Sequence, residues 1–142
     1  MRFVLDASVA LSWLLDDAGA GQAYAVATCD ALTRTDAEAF VPATWSLEVS
    51  NVIAKSEARG ILLPNRSQVF LSALAAAPIE CDGDTHLRAL SDTLALARRY
   101  GLPSYDASYL ELALRRGLPL ASLDKDLMKA ARRAGVKRFP AS

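Results

Sequence analysis

The first fifteen residues, Met1–Leu15 (MRFVLDASVALSWLL), decide the fold. An apolar run at 3–5 predicts a buried strand over 2–6, and this strand ends on a carboxylate, Asp6. Helix-forming residues follow at once over 7–15, so the chain passes directly from a strand into a helix. Because a buried charge is costly unless something neutralises it, Asp6 is the residue that needs an explanation.

Short apolar strands and helices alternate through the rest of the chain. Further strands are predicted at 39–42, 78–81, 119–122 and 136–139. Further helices are predicted at 22–35, from Thr44 to Arg59, from Pro64 to Ala76, from Asp84 or Thr85 to just before Gly101, from Ser104 to Gly117, and from Asp124 to Gly135. Gly19 and Gly21 mark the exit from the first helix. This alternation predicts parallel pairing with helices on both faces.

We therefore expect one α/β domain over residues 1–142, a three-layer α/β/α domain with a central twisted parallel sheet of four to five strands. Hydrophobic residues make up 52% of the chain and charged residues 23%, which is typical of a soluble globular protein. No apolar run reaches the length of about 18 residues that a membrane helix needs. Only Arg2 precedes the first apolar run, which Asp6 soon interrupts, so we expect no signal peptide and a cytoplasmic protein.

The formal net charge of zero hides an asymmetry along the chain. Residues 1–71 carry five Lys and Arg against eight Asp and Glu, whereas residues 72–142 carry eleven against eight. A late basic excess of this kind could bind phosphates. It could equally stabilise helix C-termini and solvated faces, and the sequence leaves both readings open.

Four acidic residues fall where a site is expected. Asp6 and Asp124 follow strands, so both lie at the carboxyl edge of the sheet, where open α/β sheets bind ligands. Asp106 lies in the first turn of a helix, and Glu48 borders the apolar face of another. Converging carboxylates raise one another's pKa values and cost stability. A hard divalent cation, Mg²⁺ or Mn²⁺, removes that cost and typically serves phosphate chemistry.

Each of these acids also has a structural interpretation. Asp106 is favourable to the helix dipole, and Asp124 is a good N-cap. Ser8, two residues after Asp6, could hydrogen-bond a carboxylate or cap the helix. Asn51, three residues after Glu48, can line the same rim. The case for a site therefore depends on the set of acids and not on any one of them.

Four stretches carry a resemblance to a known family: VLDAS at 4–8, PATWSLEVSN at 42–51, LPSYDASYLELALRRGLPLASLDKDL at 102–127 and AARRAGV at 130–136. In this order, and spread over nearly the whole chain, they resemble PIN-domain ribonucleases, specifically the VapC-type toxins of type II toxin–antitoxin pairs. The run from YDA to LD is the most specific of them, whereas an Asp-x-Ser near an N-terminus is weak by itself.

The resemblance implies roles for individual residues. Asp6, Glu48, Asp106 and Asp124 correspond to the family's catalytic acidic quartet, which holds Mg²⁺ or Mn²⁺. Asp6 and Asp106 would be the central ligands, Asp124 would hold a second or water-bridged ion, and Glu48 would ligate or orient the attacking water. Ser8, Asn51 and Ser122 match supporting positions. Ser122 stands where the family often has Thr, and it keeps the hydroxyl.

The resemblance also implies an activity and partners. We expect a metal-dependent endoribonuclease that hydrolyses RNA, often transfer or ribosomal RNA, with a metal-activated water. Its partners would be a cognate antitoxin and a second copy of the chain in a homodimer, with no membrane and with DNA reached only through the antitoxin.

Two alternatives come from other classes. A phosphatase of the haloacid-dehalogenase type would need a second Asp at the position that Ser8 occupies. A non-catalytic α/β binding module, either a degenerate PIN domain or a receiver-like domain with Asp82 as its key acid, would leave Asp6 and Asp124 unexplained.

Overall fold

A computed structural model describes residues 1–15, 20–34 and 36–141 of the chain. Its strands are β1 (Arg2–Leu5), β2 (Glu38–Val41), β3 (Ile79–Cys81) and β4 (Leu120–Ala121). They form a parallel sheet in the order β3-β2-β1-β4. The first strand of the sequence therefore occupies an interior position of the sheet.

The helices fill the intervals between the strands. They are α1 (Ala7–Leu14), α2 (Ala20–Leu32), α3 (Trp45–Ala58), α4 (Pro64–Ala76), α5 (Thr85–Arg88), α6 (Leu94–Tyr100), α7 (Ser104–Arg116) and α8 (Lys125–Arg133). A π-helical segment, Ala89–Thr93, joins α5 to α6. The three-layer α/β/α architecture predicted from the sequence is confirmed.

The core lies around β1 and α7. Phe3, Val4 and Leu5 have no exposed surface, because β1 is paired on both edges and covered by helices. Helix α7 packs against β1 and β4 and buries every residue from 107 to 113. A helix that is buried over so long a run is closely packed and held rigidly, which fixes the position of the residues in its first turn.

The strand register brings four residues to one edge of the sheet. Leu5 pairs with Ala121 and Val41 pairs with Cys81. The residues that follow the strands, in sheet order, are Asp82, Pro42, Asp6 and Ser122. Parallel strands lie about 4.8 Å apart, so Asp6 and Ser122 become immediate neighbours, whereas Asp82 lies about two strand spacings from Asp6.

The prediction of a last strand at 136–139 is wrong. Leu120 forms a single parallel bridge with Arg138, in which its N–H donates to Lys137 and its carbonyl accepts from Phe139. Since β4 is only two residues long, it offers one pairing position on this side, and the ladder ends there.

Two helix predictions also differ from the structure. The helix predicted from Asp84 or Thr85 to Gly101 is interrupted by the π-helical segment. Gly21, predicted to mark a helix exit, lies inside α2, where an added Cβ would come within 3.2 Å of the Leu123 side chain. Gly19 and Thr35, which the same predictions named, lie outside the described residues. Within the described part of the chain, no helix has the length and apolarity to cross a membrane.

Candidate metal centre at the carboxyl edge of the sheet

Asp6 is a buried carboxylate held by two hydroxyl groups. Its residue is 4% exposed, and its Oδ2 accepts hydrogen bonds from Ser8 Oγ at 2.7 Å and Ser122 Oγ at 2.6 Å. Burial raises the pKa of Asp6, the two serine hydrogen bonds oppose that rise, and the negative charge of Asp124 adds to it. The two serine hydroxyls therefore offset only part of the cost of burying the Asp6 charge.

The two serines also tie neighbouring loops to the site. Ser8 Oγ accepts from the Leu123 N–H at 3.0 Å, and Ser122 Oγ accepts from the Asp124 N–H at 3.0 Å. Ser8 thus binds the Asp6 carboxylate, which is one of the two roles considered for it. The N-cap of α1 is Asp6, whose side chain makes no capping hydrogen bond.

Glu48 is held over the site by a tyrosine that the sequence analysis missed. Tyr109 is fully buried in α7, and its hydroxyl donates to Glu48 Oε1 at 3.1 Å while accepting from the Ala7 N–H at 3.4 Å. Burial raises the pKa of Glu48 to about 7, and the charges of Asp6 and Asp106 add to the rise. Tyr109 is a positioning residue that links α3, α7 and the start of α1.

Asp106 and Asp124 complete the acidic set. Burial, together with the nearby negative charges of Asp124 and Asp6, raises the pKa of Asp106 to about 6. Asp124 is the N-cap of α8, as predicted, and its Oδ1 accepts from the Leu127 N–H at 3.0 Å. The capping role does not exclude a site role, because each carboxylate oxygen has further lone pairs.

The four predicted acids are thus electrostatic neighbours. No Lys or Arg of the described chain forms an ion pair with any of them. Equally, the structure places no three His, Cys, Asp or Glu side chains, within residues 1–15, 20–34 and 36–141, as a closed set able to hold a metal ion. Repulsion between the four carboxylates favours such an arrangement, in which the acids stay apart. Asn51, the predicted rim residue, is exposed and makes no side-chain hydrogen bond within the described chain.

A second buried acid at the same edge is neutralised differently. The Asp82 side chain is 1% exposed and accepts hydrogen bonds from Arg115 at 2.7 Å and 3.1 Å, with Thr85 and Arg116 as further donors. Burial alone would raise the pKa of Asp82, but the hydrogen bonds from Arg115 and Thr85 and the charge of Arg115 outweigh it and lower that pKa to about 2. Arg115 also pairs with the buried Glu111. This pairing argues against the receiver interpretation, in which Asp82 would accept a phosphoryl group.

Two contacts were not predicted from the sequence, the hydrogen bond from Tyr109 to Glu48 and the pairing of Arg115 with Asp82. Both have partial signals in the sequence. Tyr109 is three residues after Asp106, so the two share a face of α7, and Arg115 is four residues after Glu111. The partners of these residues, however, lie 61 residues away for Tyr109 and 33 residues away for Arg115. Local spacing therefore indicates the face and not the contact.

The fold and the acidic edge define the class of this protein as an α/β/α domain with a carboxylate cluster beyond the carboxyl ends of a parallel sheet. The family model of the PIN domain matches residues 3–133, and the chain belongs to that family. The family resemblance predicted from the sequence is confirmed.

Individual relatives agree with this assignment. The chain is 29% identical over 142 residues to "Ribonuclease VapC3" of Pyrobaculum aerophilum, covering 99% of this chain and 97% of that protein. The crystal structure of PAE2754 from Pyrobaculum aerophilum superposes with a TM-score of 0.63 at 22% identity, covering 92% of this chain and 79% of the other. FitAcB from Neisseria gonorrhoeae gives a TM-score of 0.61 at 19% identity, covering 98% and 96%. These two structures share the fold.

Proposed function

We propose that this protein is a metal-dependent endoribonuclease, the toxin of a toxin–antitoxin pair, that hydrolyses phosphodiester bonds of transfer or ribosomal RNA. The observation that carries the proposal is the contrast between two buried acids at one sheet edge. Asp82 is neutralised by Arg115, whereas Asp6, with three further acids around it, has no cationic partner in the described chain. The name of the ribonuclease relative supports the same activity.

The donor set fits Mg²⁺ or Mn²⁺. Asp6, Asp106, Asp124 and Glu48 offer only carboxylate oxygens, the ligands that these hard cations prefer. The single histidine, His86, is exposed on α5, and no group of residues with the donors that zinc favours accompanies the acids in the described structure. When bound, such a cation lowers the pKa of a water and offsets the charge that develops at the phosphorus.

The chain's own residues supply positioning. Ser8 and Ser122 fix the Asp6 carboxylate from two sides, and Tyr109 holds one oxygen of Glu48. With that oxygen occupied, the other Glu48 oxygen is available to ligate the cation or to orient a water. Precise orientation of this kind raises the rate of hydrolysis, because the entropy cost of aligning the reacting groups has already been met in the folded protein.

The partners are proposals as well. An antitoxin and a second copy of the chain follow from the VapC-type resemblance. Ile61, Leu63 and Val69 are more than 60% exposed, and apolar side chains gathered on and beside α4 support contact with another chain. Light scattering of the purified chain alone and with its co-expressed genomic neighbour measures both.

The activity is tested with Asp6→Asn and the matched exposed control Asp92→Asn on structured RNA with Mg²⁺ or Mn²⁺. We expect Asp6→Asn to lower the cleavage rate by ~10²–10³-fold, the scale for removing one electrostatic stabiliser from a hydrolytic site. Asp92→Asn should cleave at the wild-type rate, since its carboxylate only pairs with Arg88 on the surface. Full cleavage by Asp6→Asn, or none by the wild type with either metal, would remove the proposal and leave the non-catalytic PIN domain. Sequencing the ends of the cut RNA identifies the substrate.

A further inference from the structure

A basic groove begins where the acidic site ends. It is an open cavity of about 1050 Å³ between the start of α2, the segment after β4, α8 and residues 135–138. Ser122 and Asp124 line one end of it, and five cations line the remainder, namely Lys125, Lys129, Arg132, Lys137 and Arg138. The groove therefore continues the acidic edge of the sheet as a surface of opposite charge.

The cations on α8 share one face of the helix. Lys125, Lys129 and Arg132 stand at positions i, i+4 and i+7, and all three are exposed. No acid among the described residues forms an ion pair with them or with Lys137. The Arg138 guanidinium lies 3.9 Å from the centre of the Tyr24 ring, and this cation–π contact holds the Arg138 side chain in place.

Helix stability accounts for Arg132, which lies in the last turn of α8, but not for the other groove cations. Lys125 is the first residue of α8, where the helix dipole disfavours a cation. Lys137 and Arg138 lie outside the helices altogether. Several cations around one cavity, with no acidic partner among the residues that the structure describes, repel one another, and an anionic ligand with several charges relieves that repulsion.

We propose that this groove binds the phosphates of single-stranded RNA on one side of the bond that is cut. The inference rests on the proposed ribonuclease function, because an RNA with one phosphate at the acidic site must continue past Asp124 or away from it. Contacts to phosphates set affinity and register and carry no base information directly. The groove thus provides mainly sequence-independent binding, because its lining combines the five cations with the apolar side chains of Leu123, Met128 and Val136, and Gln22 is the neutral amide side chain among the lining residues.

The test compares two double variants with the same change of charge. Lys129→Gln/Arg132→Gln removes two groove cations, and Arg98→Gln/Arg99→Gln removes two exposed cations from α6, away from the groove. A labelled single-stranded RNA is titrated in EDTA, which prevents metal-dependent cutting, between 50 mM and 200 mM salt. Thermal melting checks that each variant folds, which surface substitutions of this kind should not prevent.

The groove variant should lose two phosphate contacts. Each contact contributes about 0.7 to the slope of log K against log salt for a single strand, so the slope should fall by about 1.4. At 0.1 M salt the same relation weakens binding by about 25-fold. The control variant should change neither quantity. An unchanged slope in the groove variant, or an equal loss in both variants, would overturn the proposal.

Two further arms separate this proposal from its alternatives. A poly-glutamate peptide that competes with the RNA at equal concentration of charge would show an acidic protein segment as the occupant and overturn the proposal that the groove binds RNA.

Cleavage with Mn²⁺ distinguishes a failure of the groove proposal from a failure of the proposed ribonuclease function. Groove-dependent RNA binding without cleavage supports the groove and refutes the ribonuclease, whereas cleavage with an unchanged KM in the groove variant refutes the groove alone.

Discussion

The metal-free protein should lose stability as the pH rises from 5 to 8. In the folded state, burial and neighbouring charges raise the pKa of Glu48 to about 7 and that of Asp106 to about 6, from ordinary values of 4.5 and 3.8. At a pH between the ordinary pKa of each group and its raised pKa, the folded protein still binds a proton that the unfolded chain has already released. Raising the pH removes these protons from the folded state only, so the free energy of unfolding falls through this window.

The magnitude follows from the size of the two changes. At 1.36 kcal/mol for each pKa unit, Glu48 taken alone would contribute ~3 kcal/mol above pH 5, and Asp106, whose window above pH 5 is shorter, ~1.5 kcal/mol. Both side chains are partly exposed and they interact with each other, so solvent screening reduces this to about 1 kcal/mol each. A total of ~2 kcal/mol lowers the Tm of a domain of this size by roughly 4–8 °C between pH 5 and pH 8. Asp82, with a pKa of about 2, is ionised throughout and contributes no slope.

Melting curves in EDTA at several pH values measure this effect. Glu48→Gln removes one of the titrating groups and should flatten the curve, whereas Glu80→Gln, an exposed acid on β3, should reproduce the wild type. Added Mn²⁺ should stabilise the protein more at pH 8 than at pH 5, because it binds the deprotonated carboxylates. A Tm in EDTA that stays level or rises with pH would refute the reasoning that these acids destabilise one another.

Three substitutions test the contacts around the site. Tyr109→Phe should weaken Mn²⁺ affinity by ~10-fold, because Glu48 Oε1 then keeps only the longer hydrogen bond from Thr44, and calorimetry with unchanged affinity would contradict this. Arg115→Met should cost ~3 kcal/mol in urea unfolding by leaving two buried acids poorly paired, and a loss under 1 kcal/mol would contradict it. Ser122→Ala should cost ~1–2 kcal/mol near neutral pH by removing a donor to Asp6, with Ser122→Thr as the hydroxyl-keeping control.

Four of the five predicted strands and most of the helices could be predicted because local rules decide them. The apolar run at 3–5 has only one way to be buried on both faces, and the parallel topology then sets which residues meet at the carboxyl edge. Hence the proximity of Asp6 and Ser122 follows from register. The strand at 136–139 failed because its length depends on its partner β4, which ends after two residues. The π-helical turn at Ala89–Thr93 has no local signal that we recognise.

The sequence predicts the acids of the candidate site as a set of residues, but it does not predict their contacts. The positions of four acids, at strand ends and on helix faces, predict a metal-binding role for them, namely Asp6, Glu48, Asp106 and Asp124. Their partners are chosen by packing between helices that are distant in sequence, as in the hydrogen bond from Tyr109 to Glu48. Side-chain directions on two helices must both be known before such a contact can be foreseen.

Both acidic centres depend on helix α7. Its first half supplies Asp106 and Tyr109 to the candidate metal centre, and its second half supplies Arg115, which pairs both with Asp82 and with Glu111 of the same helix. Because the helix is buried from 107 to 113, close packing leaves it little room to shift, and the pairing of Arg115 with the residue after β3 fixes its position along the sheet. We therefore expect the position of Asp106 relative to Asp6 to depend on a charge network that touches neither residue. Arg115→Met should therefore lower Mn²⁺ affinity as well as stability.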